Sequence, residues 1–428
     1  MGSKVLSCDD KEVVLQVTVP IKSTMLDCEN EILNSVNEMG GMATKEILNK
    51  FDSDGTPIKV GGVKFTARTK NGKKYQSPYG EIHVNRYVYQ TSKGGKIMCP
   101  LEERARIIRG ATPRFAKTLA HKYANQSAPS VIEDLAENHA RKIAPSYLQN
   151  VADFVGGVAQ AKEEVLEYHT PTIEERINII GISLDGAHIP TINDGYREGM
   201  VGTISLYNSD MDRLHTTYIA AAPEYGKSEF FNRFEREINW VKQNYASIKT
   251  IGIADGAKNN WSFLEKHTDR QVLDFWHASE YLSEVASALF HKKNDEEKRK
   301  EWLTQACHEL KNTAGAAESL LDEFNNNVTT VKSSLKHHLT KAISYFSNNN
   351  YANRMEYHSL VKDNLPIGSG VTEAACKTII KQRLCSSGMR WKDNGIKVVL
   401  SLRTLVKTTA RWNQFWEKIN TMGVPSLN

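Results

Sequence analysis

Two strand-like runs in this chain meet the same three residues. "INIIGISLDGAHIP" (177–190) runs apolar up to Asp185-Gly186-Ala187, and "TIGIADGAKNNW" (250–261) runs apolar up to Asp255-Gly256-Ala257. Taken singly, an Asp-Gly at a strand end reads as a turn. Taken together, they suggest chemistry. If 177–185 and 250–255 are parallel neighbours, both carboxylates lie at the carboxyl-end edge of one sheet, where α/β folds bind ligands. The small residues behind each Asp leave room for close approach to the backbone. Adjacent carboxylates repel unless a proton or a cation separates them, and oxygen-only ligands suit Mg²⁺ or Mn²⁺. A third acid stands in "LPIGSGVTEAACKTIIKQRLCSSGMRW" (365–391). There Val371, Ala375 and Ile379, with Cys376, Ile380 and Leu384, form a buried helix stripe. Glu373 lies off that stripe, at a helix start where an acid alone reads as a dipole partner.

These residues need a scaffold. Strands are expected at 177–185, 200–207, 215–222 and 250–255. Between the last two lies "SEFFNRFEREINWVKQNY", with Phe230, Phe234, Ile238 and Val241 at helical spacing. Three strands, a helix and a fourth strand make the opening order of a ribonuclease-H-like α/β core, the helix returning the fourth strand parallel to the first. A charged helical stretch (291–327) then interrupts, and "TEAACKTIIKQRL" closes the pattern.

Upstream, "KEVVLQVTVPI" (11–21) reads as a strand and 25–39 as a helix. Residues 63–100 read as a β-meander, with Asn71-Gly72 and Gly94-Gly95 as turn dipeptides. Residues 101–165 read as helical. The short helices either side of "RKIAP" suit either a helix-turn-helix or an ordinary small bundle. The basic approach through Arg104, Arg106, Arg109, Arg114 and Lys117 tips that choice toward DNA. The division expected is 1–100, a small α+β domain; 101–165, a helical DNA-binding region; and 166–428, a catalytic domain with a helical insertion at about 291–350 and basic C-terminal helices.

Charge agrees. The net value of +5 hides two basic segments: 58–125 carries 15 Lys or Arg against 3 Asp or Glu, and 374–428 carries 10 against 2. Such segments attract phosphate backbones. The six cysteines form no Cys-x-x-Cys pair, which fits a reducing cytoplasm and buried thiols rather than a disulfide framework. No apolar run reaches membrane-spanning length, and "MGSKVLSCDD" lacks the apolar core of a signal peptide.

The motifs "SLDGAHIP", "IADGAKNNW", "DFWHASEYL" and "GSGVTEAACKTIIKQRLCSSGMRW", with "YGEIHVNRYVYQ", "CPLEERARI" and "ATPRFAK" upstream, resemble those of DDE-type insertion-sequence transposases of the Kra-type (ISKra) family. The likeness runs from roughly residue 75 to 410. It implies a ribonuclease-H-like catalytic core with Asp185, Asp255 and Glu373 as the catalytic, metal-holding triad. Two Mg²⁺ ions, about 3.5–4 Å apart and replaceable by Mn²⁺, would sit on that triad. The implied reaction is hydrolysis at the element ends followed by joining of the 3′ ends to target DNA. It further implies binding to terminal inverted repeats, a homo-oligomer on DNA, no membrane, and a bacterial cytoplasm with nucleoid association. Asp274 and His277 resemble a signature that follows the second aspartate in several transposase superfamilies, and are expected to be supporting. On their own they read as a helix cap and a hydrogen-bonding His. Lys377, Lys381, Arg383, Arg390 and Trp391 are further DNA-binding candidates. The indole of Trp391 reads equally as a base-stacking surface and as core. Relatives often carry amino-terminal cysteine pairs; this chain has none, so no zinc finger is expected. Two rivals remain: a domesticated transposase that binds DNA without catalysis, and a glycosidase. Against the latter stand the basic segments and the lack of a sugar-stacking aromatic cluster.

Overall fold

The computed structural model describes residues 2–163 and 166–423. It is a mixed α/β structure in two compact units. The first comprises 1–168 with 397–406 and 411–428, and the second 169–396 with 407–410.

In the first unit, β1 (Ser3–Cys8) and β2 (Val13–Val17) pair antiparallel beside the long helix α1 (Met25–Lys50). The Thr24 hydroxyl accepts from the Asp27 N–H and starts that helix. Strands β3 (Ile58–Val60), β4 (Val63–Ser77), β5 (Gly80–Thr91) and β6 (Gly94–Met98) follow in a meander. Asn71-Gly72 is not a turn. Both residues pair across the sheet, with Arg86 and Asn85. The chain reverses at Pro78-Tyr79 instead, because the Ser77 hydroxyl accepts the N–H groups of Tyr79 and Gly80, each at 3.1 Å. Helices α2 (Pro100–Arg104), α3 (Pro113–Asn125), α4 (Ala128–His139) and α5 (Pro145–Lys162) complete this part. Phe115, Leu119, Leu148, Val151 and Val155 are buried here, as are Leu400, Leu402 and Phe415 from the C-terminal stretches.

The second unit is built on a five-stranded mixed sheet. Its strands are β7 (Ile179–Pro190), β8 (Tyr196–Tyr207), β9 (Arg213–Ala221), β10 (Lys249–Ala254) and β11 (Arg270–Leu273), in the order β11-β10-β7-β8-β9. β7, β8 and β9 are antiparallel neighbours, whereas β10 runs parallel to β7 and β11 parallel to β10. Helix α6 (Ser228–Asn244) makes the crossover and buries Phe230, Phe234, Ile238 and Val241. The central strands are buried on both faces, as a sheet covered by helices requires. After β10 come α7 (Lys258–His267) and, past β11, α8 (Phe275–Leu289). The expected insertion is helical: α9 (Glu296–Asn312), α10 (Ala316–Asn327) and α11 (Lys336–Tyr351), then the short α12 (Tyr357–Lys362). Its Leu310, Leu320, Phe324 and Phe346 join the same apolar core as the sheet. The last elements are α13 (Gly370–Ala375), a π-helical turn over Cys376–Lys381, and α14 (Gln382–Leu384). Helices α15 (Asp393–Lys407) and α16 (Arg411–Met422) follow, with most of α15 and all of α16 in the first unit.

Candidate active site

The parallel pairing of β10 with β7 puts Ile253 opposite Ser183. Two residues further along each strand are Asp255 and Asp185, so the register brings these carboxylates to the same level. Their settings differ. β10 stops at Ala254, and Asp255 opens the loop into α7. β7 does not stop at Asp185, contrary to the expectation that both runs end there. It continues to Pro190 because β8 pairs with it all the way, with Asp185 opposite Val201 and Gly186 opposite Met200.

Each carboxylate is held locally. Asp185 Oδ1 accepts from the Gly186 N–H at 2.7 Å, and the Cys376 thiol donates to Oδ2 at 3.6 Å. Asp255 Oδ1 accepts from the Ala257 N–H (3.2 Å) and Asn260 Nδ2 (3.3 Å), while the Tyr345 hydroxyl donates to its carbonyl at 2.6 Å. Tyr345 stacks on Tyr281 with ring centroids 3.9 Å apart, so α8 and α11 together brace the loop. Gly256 takes φ +110°, and a Cβ there would lie 2.8 Å from the Tyr345 ring. Only glycine fits both demands.

Glu373 is exposed on α13, just off a stripe in which Ala375, Cys376, Ile379, Ile380 and Leu384 are buried. The Thr372 hydroxyl lies 2.6 Å from that of Thr203 and seats α13 on β8. The π turn that follows widens the helix and keeps the stripe on the sheet while Glu373, Lys377 and Lys381 stay outside it. Asp185, Glu373, Lys377 and Lys381 line one cavity of about 710 Å³ with Trp276, His277 and Cys376.

Electrostatics link the three acids. Burial raises the Asp185 carboxyl above its usual range, and the neighbouring Asp255 adds to the rise, against the lowering pull of the Gly186 N–H. Glu373, though exposed, is partly desolvated at the cavity wall, which raises its carboxyl, and Asp274 and Asp185 add to the rise. Burial and the Asp185 charge push the Cys376 thiol well up, so it stays protonated. The partly buried Asp185 and Asp255 and the exposed Glu373 offer oxygen donors of a kind suited to a divalent cation. Among the described residues, no three Asp, Glu, His or Cys side chains already form a ligand cage.

Asp274 is wholly buried (0% exposed). Its carboxylate caps α8 by accepting the N–H of Trp276 (2.6 Å) and of His277 (3.2 Å), and it also accepts the N–H of Ser369. Its own N–H donates to the Ala254 carbonyl at 2.9 Å. One buried charge thus ties the end of β10, the start of α8 and the turn before α13, and three donors satisfy it. His277 pairs instead with Glu280 at 3.3 Å.

The candidate DNA contacts divide. Lys377, Lys381 and Arg390 are exposed. Arg383 is not: it is 2% exposed and lies 5.1 Å over the Trp391 ring, which removes it from reach of a phosphate. Trp391 is part of the same packing, its Nε1 donating to the Leu384 carbonyl at 2.8 Å. In the first unit, Arg104 donates to the Asp52 carbonyl, and Arg106 to the carbonyls of Asn420 and Thr421. The Arg109 guanidinium lies 4.6 Å from the centroid of the Phe154 ring. Arg106, Arg114 and Lys117 share a cavity of about 420 Å³ with Trp416 and Glu417. The helices next to these residues are joined by Gln126-Ser127 between α3 and α4 and by 140–144 before α5.

The exposed Trp276 in the acidic cavity was not among the sequence candidates, although it stands two residues after Asp274. No helix among the described residues is long and apolar enough to cross a membrane. Compared with known proteins, the chain matches no family model and no curated protein.

Proposed function

We propose that this protein is a DDE-type transposase whose Asp185, Asp255 and Glu373 cut and rejoin DNA, on a core that is ribonuclease-H-like. The sheet order and the crossover through α6 support the fold reading. The observation that carries the function is the parallel register of β10 on β7, which brings Asp255 level with Asp185, while Glu373 shares the Asp185 cavity.

Asp185, Asp255 and Glu373 would hold divalent cations, Mg²⁺ by preference. Such ions supply Lewis-acid activation of water and neutralise charge on a departing 3′ oxygen. The chain's own groups do the rest. Lys377 and Lys381 offer positive charge to the DNA backbone beside the acids. Asp274 fixes the spacing of the elements that carry Asp255 and Glu373. Tyr345 fixes the Asp255 loop from behind. No nucleophilic side chain is required, because a water and then the freed 3′-OH attack phosphorus in turn. We read Arg114 and Lys117 as phosphate contacts, the Arg106 guanidinium being committed to backbone carbonyls, and the helical region 101–165 as the part that recognises the element ends. The protein acts as a homo-oligomer on its DNA.

The test is a nicking assay on duplexes carrying the inverted repeats that flank the coding region. Cutting that needs Mg²⁺ or Mn²⁺ and leaves 3′-OH ends is expected. Footprinting of the ends without any cutting would leave a DNA-binding protein. Failure to bind or cut would remove the transposase reading.

A further inference from the structure

Trp276 is 64% exposed, at the rim of the cavity that holds Asp185 and Glu373. An indole held at the rim of a cavity presents an apolar, stackable surface to whatever enters it. Its backbone is nonetheless tightly fixed. The Trp276 N–H donates to the buried Asp274 carboxylate at 2.6 Å. The adjacent Phe275 N–H donates to the Ile367 carbonyl at 2.9 Å, and the Phe275 ring packs edge-on against Tyr357. The mount is rigid, and most of the indole is open to solvent although Gly368 and the Phe275 ring lie beside it. Rigid aromatics of this kind bind flat partners with little loss of conformational freedom.

What lies around the ring selects the partner. Exposed Lys377 and Lys381, one helical step apart, line the same cavity. Cations lining the same cavity as an exposed aromatic are the pair of features that hold single-stranded nucleic acid, one for phosphates and one for a base. A neutral sugar would use the ring and leave the lysines idle.

We infer that Trp276 stacks against one unpaired nucleobase of a DNA strand whose neighbouring phosphates lie on Lys377 and Lys381. This rests on the reading that the cavity handles DNA. It adds that the strand must be locally unpaired there, since a base inside a duplex offers no free face.

The experiment uses the full chain in Ca²⁺ and two labelled 20-base-pair duplexes of mixed sequence, one blunt and one with a five-nucleotide 3′ overhang. Anisotropy should show tighter binding of the overhang duplex. Trp276→Ala should weaken that complex about tenfold, and Trp276→Phe by less. Neither should change binding to the blunt duplex. An overhang of abasic nucleotides should weaken wild-type binding by the same factor, which tests the stacking without any substitution. Equal affinity of Trp276→Ala and wild type for the overhang, or no penalty for abasic nucleotides, overturns the inference and leaves the DNA reading standing. Wild type that binds neither duplex overturns the DNA reading and the inference with it. Tryptophan quenching by maltoheptaose, lost in Trp276→Phe and absent with DNA, would assign the ring to a sugar instead.

Discussion

Asp185-Gly186-Ala187 and Asp255-Gly256-Ala257 have the same composition in different backbones. The first lies inside β7, paired along β8 on both sides of the acid. The second breaks the chain out of β10 into a loop at positive φ. At Gly186 the missing side chain makes room for Glu198, whose carboxylate Lys227 holds at 2.6 Å. At Gly256 it permits a backbone conformation and the close face of Tyr345. One carboxylate is therefore positioned by a sheet ladder and the other by a loop braced from outside. A strand-borne acid is held by many shared hydrogen bonds, whereas a loop-borne acid depends on a few specific contacts.

Several substitutions would break or sharpen that contrast. The largest effect is on catalysis. Asp185→Ala, Asp255→Ala and Glu373→Ala should each lower metal-dependent nicking by about a thousandfold or more, with end binding retained in a gel-shift assay. Full nicking by any one of them removes that residue from the triad. Next come the glycines. Gly256→Ala combines a strained φ with a clash against an aromatic ring and should cost about 2–3 kcal/mol in urea unfolding. Gly186→Ala meets the Glu198 side chain, which can swing aside at the expense of its contact with Lys227, and should cost about 1 kcal/mol. Equal costs would erase the distinction between the two settings. Tyr345→Phe deletes one hydrogen bond to the Asp255 carbonyl and should cost about 1 kcal/mol, with a drop in kcat and little change in DNA affinity.

The smallest effect concerns charge. Asp185 is raised above its ordinary value of 3.8 by burial and by Asp255. A carboxyl raised on folding contributes stability below its ordinary pKa and loses it as pH rises through the raised value. At neutral pH without divalent ions, Asp185→Asn should therefore melt about 2 °C above wild type. That gap should close as the pH falls below 3.8. Addition of Mg²⁺ should raise the melting temperature of wild type alone.

Much of the second unit was legible because its signals are local. The runs at β7 to β10 and the stripe Phe230, Phe234, Ile238 and Val241 announce themselves by periodicity. Glu373 was readable as a residue off an apolar stripe. What was hidden depends on distant partners. β11 is only four residues long and needs β10 as its neighbour. Asn71-Gly72 resembles a turn until β5 pairs across it. β7 outruns Asp185 because β8 does. Arg383 looks like a surface cation in sequence, and only the fold puts it under Trp391. Asp274 was recognisable as a helix cap from its spacing, but its grip on Ser369 spans 95 residues of chain.

The bond from Tyr345 to the Asp255 carbonyl has a mechanical consequence. Tyr345 belongs to α11, so the helices that precede Glu373 are tethered to the Asp255 backbone across a long stretch of sequence. A partner that tilts α11 would pull on that tether and turn the Asp255 loop, and excision of the insert would cut it. The insert is thereby coupled to the Asp255 loop, and because it shares the apolar core of the sheet its removal would cost folding as well as the tether.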